Sequence, residues 1–249
     1  MKPFGHTDVR EGRDADISPL DEEMDAVWTR YCARQYYDFD MGPFEFARAL
    51  LAGIPLSTSL LERHIIRTSI SHPDDTPQSL GFFVSAGYQL LPEQRIVYPL
   101  NTPWLYFLGH GLFMKELVIT GSVGPYAGSS MVGTLVNQGE LGIKGGVDMI
   151  GHLRNEGKAG DLLGHRMAGT LINTGEAQEV GVAMIGYQEN LNSPLQGRTQ
   201  SWTLKSSMER LLFRKEPLGR TKKRFLRDIE NSNRISHYAL WDKIREDYT

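Results

Sequence analysis

The sequence predicts a mainly β fold, a short β-solenoid of 18-residue coils with helical N-terminal and C-terminal extensions, and three observations predict it. The first is an internal repeat: ELVITGSVGPYAGSSMVG (116–133), TLVNQGELGIKGGVDMIG (134–151), HLRNEGKAGDLLGHRMAG (152–169) and, one residue shorter, TLINTGEAQEVGVAMIG (170–186). The second is glycine in fixed columns. Gly121, Gly139, Gly157 and Gly175 share one, Gly124, Gly142 and Gly160 another, and Gly128, Gly146, Gly164 and Gly181 a third, while Gly133, Gly151, Gly169 and Gly186 close the units. The third is a set of side-chain columns: Leu117, Leu135, Leu153, Leu171; Met131, Met149, Met167, Met184; and Asn137, Asn155, Asn173, with Ile119 in the first unit. Several glycines per unit, at about 1 kcal/mol each relative to Ala inside a helix, exclude helical repeats. A short, strictly held period with glycine corners is the pattern of stacked β coils. Leu and Met are expected to form inward ladders, glycine to supply positive-φ corners, and Asn to tolerate such corners while stacking its amides. Coils of this length have a perimeter of about 60 Å, and four of them stack to only about 19 Å.

The elements before the repeat follow in order. Residues 1–17 are polar. Ser18-Pro19-Leu20-Asp21 reads as a capping box with Pro at the first helical position, opening a helix to about residue 35 that YYDFD ends. A second helix starts after Gly42-Pro43, with Phe44, Phe46, Ala47, Leu50 and Leu51 as its apolar side and Gly53 as its stop. LLERHIIRTSI is a third, with Leu60, Leu61, His64 and Ile65 on one face. From Phe82 the pattern reads as strands: FFVSAGYQLL, RIVYPL and WLYFLG. A weaker repeat unit precedes residue 116, with Gly109 and Leu112 in the Gly and Met columns. Residues 18–104 thus form a capping region of helices and short strands, 105–186 the solenoid, 187–207 an irregular linker and 208–249 a helical extension.

The spacing G-x-x-x-G-x-x-M-x-G in GPYAGSSMVG and GDLLGHRMAG resembles the repeat of the GXGXG-type β-helix, the family that includes the glutamate synthase C-terminal domain and a β-helical component of formylmethanofuran dehydrogenase. The resemblance spans about residues 105–186 and implies a right-handed coil and a supporting role among catalytic parts. The chain departs from it with single glycines where that family has pairs, and with helical segments at both ends. A left-handed β-helix, which also has 18-residue coils, is the alternative. Leu117, Val123, Leu135, Leu141, Val147 and Leu153 fit its hexapeptide rule; Ser129 and His165 do not.

Candidate chemistry is sparse. GSVGPYAG lacks the Lys-Ser or Lys-Thr of a phosphate loop, and no helix-forming run follows it. His72, Asp74 and Asp75 in ISHPDDTP resemble the metal-binding signature of zinc-dependent N-acetylglucosamine-type deacetylases. Thr76-Pro77 follows in place of Glu and no second His motif exists, so a helix-ending turn is the plainer reading and no cofactor is expected. His110, His152 and His165 lie in the solenoid, where the left-handed alternative would make His152 or His165 an acyltransferase base. His64 is expected to be packed and hydrogen-bonded. Tyr31, Tyr36, Tyr37 and Phe39 read as core or interface, and Cys32 as a buried thiol.

A net charge of −3, with 23% charged residues, gives no global field for nucleic acid, but the charge is uneven. Residues 11–25 sum to −6, whereas 214–227 sum to +6 through Arg214, Lys215, Arg220, Lys222, Lys223, Arg224 and Arg227 against Glu216. The basic segment is read as a dock for an acidic partner, this protein's own N-terminus included, with nucleic acid as the alternative. One cysteine fits a reducing cytoplasm, and no apolar run is long enough to span a bilayer. The expected function is a non-catalytic structural or assembly subunit whose partners are other protein subunits, homo- or hetero-oligomeric.

Overall fold

A computed structural model describes residues 17–33, 42–71, 77–182 and 184–190. Four helices, α1 (Pro19–Cys32), α2 (Pro43–Leu51), α3 (Thr58–Ser71) and α4 (Pro77–Leu90), precede ten strands. The predicted capping box is present: the Ser18 hydroxyl accepts from the Asp21 N–H, and the Asp21 carboxylate accepts from the Ser18 N–H. Met24, Val27, Trp28 and Tyr31 of α1 pack with Ala47, Leu51, Leu60, Leu61, Ile65 and Phe83 in a core continuous with the solenoid interior. Cys32 corrects the expectation of a buried thiol. It is exposed, because the buried stripe of α1 ends at Tyr31 and the next residue is turned about 100° away from it.

The strands stack in parallel into a β-solenoid of about five turns. One sheet is ordered β1-β3-β5-β7-β9-β10 and the other β2-β4-β6-β8. Its long members are β3 (Phe113–Ile119), β5 (Val132–Asn137), β7 (Ile150–Asn155), β9 (Ala168–Asn173) and β10 (Ile185–Asn190), and register sets Leu117, Leu135, Leu153 and Leu171 directly over one another. The short members β4 (Ser122–Val123), β6 (Glu140–Leu141) and β8 (Lys158–Ala159) form the second side. The deleted residue of the fourth unit lies before β10, which regains register with β9 from Ile185↔Ala168 to Asn190↔Asn173.

Four expectations are corrected here. FFVSAGYQLL is not a strand but most of α4, buried on nearly every side from Ser79 to Tyr88, so no polar face announces the helix. WLYFLG is a run of turns: Phe107 sits at φ 62 and Gly109 at φ 78, left-handed values that no strand holds. The first coil begins earlier than residue 105, since β1 (Arg95–Tyr98) and β2 (Asn101–Thr102) pair with β3 and β4. At the other end β10 runs four residues into the segment expected to be irregular, because its backbone bonds to β9. Residues 34–41, 72–76 and 191–249, including the aromatic run after α1, the HPDD sequence read above as a helix-ending turn, and the basic segment, lie outside the described residues.

Candidate functional site

The repeat residues divide by task. Gly128, Gly146, Gly164 and Gly181 have φ of 67, 67, 64 and 66, so they are positive-φ corners as expected. The column of Gly121, Gly139, Gly157 and Gly175 is different. There a methyl group would fall 2.1, 1.8, 2.1 and 2.0 Å from a carbonyl oxygen of the coil before, so glycine is required by backbone approach and not by φ. The asparagines are not corners either. Asn137, Asn155 and Asn173 end strands β5, β7 and β9, fully buried, and form a ladder: the Asn137 amide donates to the Asn155 carbonyl oxygen at 2.6 Å, and Asn155 donates to Asn173 at 2.6 Å. The Gly139 N–H donates to Asn137 Oδ1 at 3.2 Å, tying the end of β5 to its own turn, and Asn137 Nδ2 also donates to the Lys158 carbonyl at 2.8 Å in the next coil. The column extends beyond the units read from sequence. Register places Tyr98 below Ile119 and Asn190 above Asn173. Met131, Met149, Met167 and Met184 are buried in the interior.

On the third side of each coil, ordinary side chains also take left-handed backbone. Phe107, Tyr126, Lys144 and Leu162 form one such column, at φ 62, 64, 59 and 61, and Ser130, Asp148 and Arg166 another, at 55, 54 and 54. Each residue is about 1–2 kcal/mol less favourable there than in right-handed backbone, a cost offset by coil-to-coil hydrogen bonds such as Tyr126 N–H to Ile143 O at 3.0 Å and Lys144 N–H to Asp161 O at 2.8 Å. The fixed backbone stacks the outward rings: Phe82 on Phe107 at 4.8 Å, Phe107 on Tyr126 at 4.7 Å with planes 5° apart, and the Lys144 ammonium 5.4 Å from the Tyr126 ring centre. Beside them the neighbouring column of Tyr106, Pro125 and Ile143 stands outward, with Tyr106 36% and Ile143 46% exposed. Together they make an aromatic and apolar strip across three coils. The sequence signal was a column of unlike residues, which a search for identities passes over.

The first coil has no coil before it, and α4 takes that place. Within the stack the Gly128 N–H donates to Leu108 O at 2.7 Å and the Val132 N–H to Leu112 O at 2.8 Å. The corresponding groups of the first coil, the Gly109 and Phe113 N–H, donate instead to Ser85 Oγ at 2.8 Å and Gln89 Oε1 at 2.7 Å. Ser85 Oγ also lies 3.1 Å from Phe107 O. Lys115, buried, donates from Nζ to Leu91 O and Glu93 O at 2.6 and 2.7 Å just past the end of α4, and burial pushes its ammonium pKa down against the opposing pull of Glu93. Ser85, Gln89 and Lys115 were not legible in the sequence, because nothing local marks which side chain replaces a missing coil.

The histidines do not converge. His152 is exposed on β7 between Thr134 and Thr170 of the flanking strands. His165 lies on the non-strand side of its coil, half-buried, with Nδ1 meeting no hydrogen-bond partner among the described residues; burial and the neighbouring Arg166 push its pKa down. His110 packs edge-on against Phe44, Phe82 and Phe107. His64 is fully buried in the helical cap, as expected, with Nδ1 3.1 Å from Asp25 Oδ1 and Nε2 3.5 Å from Thr68 Oγ1. That order of Thr, His and Asp is the order of a nucleophile relay, but Thr68 is itself only 6% exposed, so its hydroxyl faces the core and not a substrate. Burial lowers the His64 pKa against the pull of Asp25. Arg67 binds Asp21 and Asp25, and Arg63 binds Asp21. Burial would raise the Asp21 pKa, but Ser18, Arg67 and Arg63 outweigh it and hold the carboxyl well below its usual range. Among the described residues no cluster of His, Cys, Asp and Glu has metal-binding geometry, and no helix is long and apolar enough to cross a membrane.

Comparison of the chain with protein-family models, with curated proteins and with solved structures finds no match in any of the three.

Proposed function

We propose that the chain is a structural or assembly subunit whose solenoid, a right-handed coil of the GXGXG kind, holds other protein subunits. One observation carries this reading: a strip in which exposed Tyr106 and Ile143 stand beside the half-buried, stacked Phe82, Phe107 and Tyr126 and half-buried Pro125, on a backbone that stacking has made stiff. Exposed apolar patches of this kind mark protein contacts, and rings held by their own backbone lose little freedom on binding. The columns that recur most strictly, Gly, Leu, Met and Asn, are spent on stacking one coil on the next. What varies is the outward surface, which is where a scaffold carries its specificity.

The test is the native assembly. Purified from its own cells, the protein is expected in a complex of defined stoichiometry. The double variant Tyr106→Ser with Ile143→Ser is expected to leave that complex with its melting temperature unchanged within a few degrees. A wild-type protein that is monomeric at every concentration, with no second subunit, overturns the reading.

A further inference from the structure

The junction between the cap and the solenoid holds a hydroxyl that no described protein group satisfies. Tyr88 lies on α4 three residues after Ser85 and is fully buried, and its Oη meets no hydrogen-bond partner among the described residues. Such a phenol has given up its hydration and gained nothing in return. Buried hydroxyls in folded proteins are nearly always paired, with protein or with ordered water.

Two further elements bring polar groups to the same place. Gly87 lets α3 and α4 approach closely, since a methyl group there would fall 2.6 Å from Leu61 Cδ2. Glu62, next to Leu61, and Tyr88, next to Gly87, therefore lie at the same level of the helix pair. Glu62 is half-buried, and burial pushes its carboxyl pKa up, with no donor or cation among the described residues opposing it. From the solenoid side comes Tyr98, the last residue of β1, also fully buried. Its Oη lies 2.5 Å from Thr102 Oγ1, which donates in turn to Ser122 O at 3.3 Å. That order places the protons. The Thr102 hydrogen goes to Ser122, so the Tyr98 hydroxyl donates to Thr102 and its oxygen is left to accept. The two phenols and the carboxylate are within electrostatic reach of one another. Burial is the main cause of the raised Tyr88 pKa, and Tyr98 and Glu62 add to it; burial and Glu62 likewise raise that of Tyr98 against the pull of Thr102.

We propose that this junction is a binding site for a single structural water, which accepts from the Tyr88 hydroxyl and donates to Tyr98 Oη and to a Glu62 carboxylate oxygen. One donor facing two acceptors is a set that one water completes, and a buried water typically makes about three hydrogen bonds. A direct bond from Tyr88 to Tyr98 would leave the half-buried carboxylate without a donor. A cation would satisfy the carboxylate and leave the Tyr88 proton unpaired. With the water in place, hydrogen bonds run from Glu62 of α3 through the water, Tyr98 and Thr102 to Ser122 of β4. The cap then meets the first coil through a polar link at Tyr88 as it does at Ser85 and Gln89. This inference rests on the packing of the junction and not on the proposed function.

A crystal structure of the full-length chain, at a resolution that shows ordered water, tests it. One water is expected within about 2.5–3.2 Å of Tyr88 Oη, Tyr98 Oη and a Glu62 carboxylate oxygen. A Tyr88 hydroxyl bonded only to protein, or with no solvent peak in reach, overturns the proposal. Chemical denaturation supplies a second readout. If the hydroxyl were truly unpaired, Tyr88→Phe would remove a buried polar group for nothing lost, and the midpoint would hold or rise. With the water bound, the variant is expected to lower the folding equilibrium constant about fivefold. That loss is expected to persist in a Glu62→Gln background, where an amide oxygen still accepts, and to shrink by about half or more in Glu62→Leu, where the water has lost a partner. A midpoint that does not fall in Tyr88→Phe, or that falls equally in all three backgrounds, overturns the proposal.

Discussion

In the helical cap every contact is made once. Trp28 stacks on Tyr31 and meets Phe83 edge-on, His64 fits between Asp25 and Thr68, and Arg67 joins two aspartates of α1. In the solenoid nearly every contact is made again one coil later: glycine against the carbonyl below, leucine over leucine, amide to amide. Within itself the cap is specified by large side chains of particular shape, the solenoid by the absence of side chains where two backbones nearly touch; Gly81 of α4, whose added methyl would lie 1.7 Å from the Tyr106 carbonyl oxygen, carries the second kind of contact to the junction between them. A change in the cap therefore removes one interaction, whereas a change in a glycine column pushes two coils apart and disturbs those beyond them.

Gly139→Ala tests that difference where the effect is largest. The added methyl would lie 1.8 Å from the Gly121 carbonyl oxygen, with Thr120 backbone atoms at 2.8 Å, and backbone cannot step aside as a side chain can. The expected loss is more than about 3 kcal/mol, read as the midpoint of chemical denaturation. Gly53→Ala is the control from the cap. Nothing lies within 4 Å of the new methyl, so the change is expected within about 0.5 kcal/mol of zero. Similar losses at both sites would refute the contrast.

Ser85→Ala probes the junction, where one region imitates the other. The substitution leaves the Gly109 N–H without its acceptor at 2.8 Å and creates almost no cavity. A buried donor left unpaired costs about 1–3 kcal/mol, and this is the expected loss. Exchange of the Gly109 amide is expected to speed up by more than that of the Gly128 amide, whose acceptor is the Leu108 backbone carbonyl. Equal acceleration of both would show that α4 packs on the coil without completing it.

What the sequence makes legible follows the same division. The period, the columns and their buried Leu, Met and Asn members can be read directly, because a solenoid writes one constraint several times. The reason for each glycine cannot: Gly121 and Gly128 look alike in sequence, yet one is required by a neighbouring carbonyl and the other by its own φ. Helix α4 escapes notice because Phe82, Phe83, Val84 and Tyr88 are strand formers in a helix buried almost all round, where no alternation with polar residues betrays the period. Phe107 and Tyr126 look like strand residues for a related reason. Their left-handed backbone is imposed by coils above and below and not by local preference.

Acidification separates the regions by a smaller effect and sharpens the comparison, because the network that joins Asp21, Asp25, His64, Arg63 and Arg67 belongs to the cap, whereas ion pairs of the solenoid such as Arg154–Glu156 and Arg166–Asp148 lie as separate pairs on its surface. Asp21 has a folded pKa well below its unfolded value of 3.8, so its stabilisation is present above that value and is lost as pH falls toward the folded pKa. Asp25 shifts in the same direction but is half exposed, and solvent screens its share. His64, also depressed, adds stability while neutral and begins to lose it below its unfolded value of 6.5. The cap is thus expected to weaken in two stages, gently from about pH 6.5 and more steeply below about pH 4. Each group that takes up one proton on unfolding adds about 1.4 kcal/mol per pH unit to the slope. In Asp21→Asn the lower limb is expected to lose close to one proton of slope while the limb beginning near pH 6.5 remains, since His64 bonds to Asp25 and Thr68 and not to Asp21. Amides of β5 and β7 followed by exchange across the same range are expected to keep their order relative to one another, as the Asn ladder and the glycine contacts carry no titrating group. An unchanged lower limb in Asp21→Asn would place the acid sensitivity outside the α1–α3 network.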